Sequence, residues 1–136
     1  MAKSVITGRY VSLAGTEISS NLAGVSLELT AEEIDSTSLG SAGWREIQSG
    51  LKSGSITFNF MQDYGAGGID ALLYPLLGTN ATVVVRAGTG TASATNPAYT
   101  ATVVVSNYVP VSGSIGDLDT FDITLPTTGA VTRATA

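Results

Sequence analysis

Two carboxylate pairs open the search for chemistry in this 136-residue chain: Glu32-Glu33 and Asp117-Leu118-Asp119. Paired carboxylates can share general acid-base work or hold a hard cation. Neighbouring residues on an extended strand point to opposite faces, so Glu32 and Glu33 would diverge, whereas Asp117 and Asp119 could share a face. Neither pair has supporting ligands beside it, and Asp is a common turn residue, so solvated turns are the plain reading. The sequence contains no Cys and no His, which removes thiol nucleophiles, thiolate or imidazole zinc sites and every His-based triad. Gly88-Thr89-Gly90 lacks the third glycine and the strand-to-helix setting of a phosphate loop, and Asn80-Ala81-Thr82 matches a glycosylation sequon short enough to arise by chance. The residues therefore predict no catalytic centre, no metal site and no cofactor, and a role that is not enzymatic.

Length and composition narrow the class. A chain of 136 residues has room for one core, so residues 1–136 are read as a single domain. Six Lys and Arg against eleven Asp and Glu give a net charge of −5, the wrong sign for gripping phosphates through counterion release. Only 12% of residues are charged, about half the usual share, and burial in an assembly would resolve that shortage. Ser and Thr number 33 and Gly 16, a β-rich and turn-rich balance. The stretch Met1 to Arg9 carries a cation but no apolar run long enough for a secretory signal, so the chain is expected to stay in the cytosol after synthesis. Its apolar stretches fall far short of a bilayer span, and no membrane insertion is expected.

The elements that must position any site are mostly strands. Val25, Leu27 and Leu29, then Ile56, Phe58 and Phe60, then Phe121, Ile123 and Leu125 each alternate with polar residues at the period of a half-buried strand. Ala-Thr-Val-Val-Val occurs twice, at 81–85 and 101–105. Its consecutive β-branched residues suit strands covered on both faces, read here as one hairpin with an exposed, mobile connection from Arg86 to Ala98. Ile69, Leu72, Leu73, Leu76 and Leu77 instead follow helical spacing, with Asp70 near the start, Pro75 limiting the length and Gly78 closing the end. The expected fold is mainly β: a two-layer β-sandwich or barrel with one short flanking α-helix at about 68–77. Its expected core comprises Leu27, Leu29, Ile56, Phe58, Phe60, Val83, Val85, Val103, Val105, Phe121 and Ile123, with Leu72, Leu73, Leu76 and Leu77 over one end or face.

Residues 31–54 lack clean periodicity and read as a long loop, a length that in a compact domain calls for a function. It holds the single Trp, and Trp44 is equally at home in a core or an interface, so both readings stand.

From Ile34 to Met61 the chain reads IDSTSLGSAGWREIQSGLKSGSITFNFM. An acidic-Thr-Ser segment, a short Arg-Glu stretch, a Gly-Leu-Lys turn and an alternating strand from Ser55 to Phe60 follow in order. A short helix, a Val-rich strand, a Gly/Ser loop, a strand led by Tyr99, an acidic strand from Gly116-Asp117 and a late Thr-Gly near Gly129 come after. In this order, from Gly24 to Arg133, the chain resembles the major tail tube proteins of long-tailed bacteriophages. The resemblance implies self-assembly into stacked hexameric rings, a virion location in the phage tail, and assembly in the bacterial host cytoplasm. It implies contacts with other tail proteins (tape measure, terminator, tip) and DNA passing through the lumen without tight binding. It also implies a contact loop between subunits, for which the candidates are Asp35, Leu39, Trp44, Arg45, Glu46, Leu51 and Lys52; the length and Gly/Ser content of the segment from Asp35 to Lys52 predict that it is mobile in the monomer and ordered by assembly. The rival reading from the residues is a monomeric or trimeric β-sandwich module for capsid decoration or adhesion.

Overall fold

Alternation and burial act together in the computed structural model, which describes residues 3 and 5–135. The strands are β1 (Tyr10–Leu13), β2 (Thr16–Glu17), β3 (Leu22–Asp35), β4 (Ile47–Met61), β5 (Asn80–Arg86), β6 (Ala98–Val104) and β7 (Thr120–Ala134), with helix α1 (Ile69–Leu76) between β4 and β5. Hydrogen bonding joins all seven in one antiparallel sheet, in the order β2-β1-β5-β6-β7-β4-β3. The fold is mainly β with one short helix, as the alternating segments predict.

β7 makes the sheet a container. Its residues Thr120 to Pro126 pair with β4, and Thr127 to Ala134 pair with β6. The partner changes beside Pro126, which has no N–H to give a further neighbour. Just beyond, the register with β6 slips between Thr100 and Thr102, and Gly129 takes φ +78°. That left-handed bulge position is open to glycine at little cost. One core cluster collects Ile56, Phe58 and Phe60 of β4, Val83 and Val85 of β5, Ala101 and Val103 of β6, and Phe121, Ile123 and Leu125 of β7. Phe60 stacks on Phe121 at 5.1 Å and lies 5.3 Å from Phe58. Ile69 and Leu73 of α1 are buried with this cluster, while Leu72 and Leu76 pack on it half-buried.

The structure changes several expectations. The long loop at 31–54 is largely strand: β3 runs on to Asp35 and β4 begins at Ile47, paired from Leu29↔Gly54 to Asp35↔Ile47. Periodicity was absent because this part of the hairpin projects past the core and both its faces meet water, so backbone pairing needs no apolar stripe. A register shift between Ala31 and Glu33 further breaks the phase. Leu29, expected in the core, is 53% exposed, since it sits at the base of that projection. Leu77 lies past the end of α1 and is exposed. The Val-rich segments form one hairpin as expected, with Val83 opposite Ala101, but Thr82 is exposed and Val84 and Val104 are only half-buried, so the chain covers one of its faces. The 86–98 connection, expected to be mobile, is knit together by Asn96, whose amide donates to the Gly90 and Thr91 carbonyls and whose Oδ1 accepts from Gly88 N–H. β1 and β2 were missed, being too short to carry a period.

Candidate assembly interface

The projecting ends of β3 and β4 form a two-stranded arm. Seven residues from Leu29 to Asp35 at about 3.3 Å each carry it roughly 20 Å past the last row shared with β7. Its tip is held by polar groups rather than by a core. Asp35 Oδ1 accepts from Thr37 N–H at 2.9 Å, and the Thr37 side-chain hydroxyl first, then this backbone bond, hold the Asp35 carboxyl below its usual range. Thr37 Oγ1 accepts from Glu46 N–H at 2.8 Å, and Ser36 N–H donates to the Glu46 carbonyl at 2.9 Å. Ser38 and Ser41 form a reciprocal capping box on the 3-10 turn Leu39–Ser41. Ala42 at φ +54° and Gly43 at φ +85° then reverse the chain, and Trp44 N–H closes the turn on the Ser41 carbonyl at 3.1 Å.

This frame faces its large side chains outward. Trp44 is 76% exposed, so of its two readings the core of its own chain is excluded. Leu39 is fully exposed beside it, with Asp35, Arg45 and Glu46 in the same turn region. Leu51 and Lys52 are exposed too but sit further back on β4, where Leu51 N–H donates to Glu32 Oε2. The structure thus gathers five of the seven candidates at the tip and places two along the shaft. Ile34 and Ile47, exposed on the same arm, were missed, because isolated Ile residues in a stretch read as loop carry no interface signal. The segment before β7 exposes Val111, Ile115 and Leu118 as well, a second apolar surface with no sequence signature.

The carboxylate pairs do not converge. Glu33 lies opposite Ser49 on the arm, Asp117 N–H caps a turn on the Ser114 carbonyl, and the Asp119 carbonyl accepts from Gln62 N–H. Among the described residues no group of three or more Asp and Glu is placed to hold a metal ion, and no helix is long and apolar enough to cross a membrane.

No family model and no curated protein matches the sequence. Solved structures do resemble the fold. A chain in a structure described as the virion of a native gene transfer agent particle aligns with a TM-score of 0.74 over 97% of this chain and 99% of its own length, at 17% identity. A chain in the tail of an empty particle of the same kind, refined helically with C6 symmetry, aligns with a TM-score of 0.59 over 93% and 94%, at 16% identity. At such identities the likeness is one of fold.

Proposed function

We propose that this chain is a structural virion protein whose copies assemble into hexameric rings stacked as a phage tail tube, the conduit for DNA ejection. The observation that carries this reading is the arm: a projecting hairpin presenting Trp44 and Leu39 to solvent, a geometry that gains nothing for a lone molecule and supplies an anchor to a neighbour. The near full-length likeness to chains of a virion and of a C6 tail supports it. So does charge. Six copies at −5 each carry −30 per ring, and a wall of that sign repels phosphates so that duplex DNA slides instead of adhering. Nothing in this role asks for a catalytic residue. Assembly would take place in the host cytoplasm, and tape-measure, terminator and tip proteins would meet the two ends of the tube.

Purified protein examined by negative-stain electron microscopy and by mass measurement tests the reading. Rings or tubes of sixfold symmetry are expected. A stable monomer or trimer at all concentrations would overturn it in favour of a decoration or adhesion module.

A further inference from the structure

The sheet's free edges are β3 and β2, and β3 lies across a groove from the end of β5, which is itself paired with β1 and β6. This groove of about 440 Å³ is walled by Val25 and Leu27 of β3, Val85 of β5, and Tyr99 of β6, with Arg9 and Arg86 at its rim. No carboxylate lines it. Arg9 and Val25 continue into a neighbouring cleft of about 740 Å³ toward the chain's start, where Glu17 is the one acidic residue. Arg86 lies with its guanidinium 4.2 Å over the Tyr10 ring and donates from Nη1 to the Gly90 carbonyl at 3.4 Å, while its Nε is buried without an acceptor among the described residues. Arg9 is exposed and its side chain makes no hydrogen bond among the described residues.

Resting on the tube reading, we infer that this groove receives the arm of a second copy of the chain. The arm offers what the groove lacks. Trp44 and Leu39 supply apolar bulk for the floor, and an aromatic face suits the Arg9 guanidinium, Arg86 already lying over Tyr10. Glu33 and Glu46 supply carboxylates that make no side-chain hydrogen bond among the described residues, while Glu32 and Asp35 are engaged within the arm. The arm as a whole carries four carboxylates (Glu32, Glu33, Asp35 and Glu46) against two cations (Arg45 and Lys52), a net −2, so charge complementarity pairs a net acidic, apolar arm with a cationic, apolar slot. The arm cannot serve its own groove: it is the continuation of β3, which walls the groove, and it carries Trp44 away from it. Arm and groove are different patches, so the contact can run head to tail and propagate from copy to copy, as rings and stacked tubes require.

Two experiments test this on the full chain. In a charge-swap cycle, Arg9→Glu and the Glu33→Lys, Glu46→Arg double variant should each raise the concentration needed for assembly at least about tenfold, leave monomer melting unchanged, and recover assembly when combined. Because the chain has no Cys, a mixture of Ser26→Cys protein, marking the groove, and Arg45→Cys protein, marking the tip, should give a disulfide-linked dimer on oxidation that neither variant gives alone. Wild-type tubes with no mixed disulfide and no rescue in the swap would overturn the groove assignment and leave the tube reading standing. Wild-type protein that forms neither rings nor tubes would overturn both.

Discussion

The Tyr108 hydroxyl donates to Asp70 Oδ1 at 2.6 Å, tying the segment that leads into β7 to the first turn of α1. Gln62 Nε2 donates to the same hydroxyl at 3.1 Å, and the Tyr108 ring meets Phe121 edge-on at 5.5 Å. The contact joins core packing to the polar surface through one side chain.

The Tyr108 phenol sets a pH dependence. Burial, and then the bond to Asp70, push the Tyr108 phenol up to about 12 from an ordinary 10.0. A raised folded-state value means the unfolded chain ionises first, so the stabilisation is complete below pH 10 and is lost as pH climbs toward 12. Tyr108→Phe keeps the ring and removes the bond, at a cost of about 1 kcal/mol or less because the site is partly solvated. Denaturant midpoints should separate wild type from variant near neutral pH and converge in strong alkali. A gap independent of pH would show that the bond is not the source.

Strand phase is tested by a contrast on one hairpin. Phe58 is fully buried and packs on Phe60, so Phe58→Ala should cost about 3 to 5 kcal/mol and abolish folding or lower the melting temperature sharply. Leu29→Ser, at a position 53% exposed, should change monomer stability by no more than about 0.5 kcal/mol. Equal effects in thermal unfolding would contradict the burial assigned to both.

Trp44→Ala should leave the monomer folded, with native far-UV dichroism and melting. Tube growth should be suppressed, because loss of an interface anchor costs about 2 kcal/mol or more at every contact. Melting curves beside negative-stain images decide it: tubes of normal length would eliminate the anchor role.

Duplex DNA should show no measurable affinity at physiological salt, given a net charge of −5 and six cations scattered over the arm (Arg45, Lys52), the groove (Arg9, Arg86), the N-terminal segment (Lys3) and β7 (Arg133). Fluorescence anisotropy is the measurement, and salt-sensitive binding at micromolar protein would count against a conduit with a repelling wall.

What the sequence determined by itself was whatever burial writes into a period. Ile56, Phe58 and Phe60, Phe121, Ile123 and Leu125, and the helical stripe from Ile69 to Leu76 were all legible, because a strand or helix with one face in a core must repeat its apolar residues at the period of that face. The arm was not legible, since a two-stranded ribbon in water satisfies its backbone across the pair and leaves its side chains without a pattern to obey. Trp44 was open for the same reason: its type suits core and interface alike, and only the hairpin's projection past the sheet puts it in solvent. Arg9 and Arg86 carry no joint signal in the chain. Their meeting at one groove was decided by the tertiary structure, because it depends on how far the sheet bends at β7 and which strands that bend leaves apart.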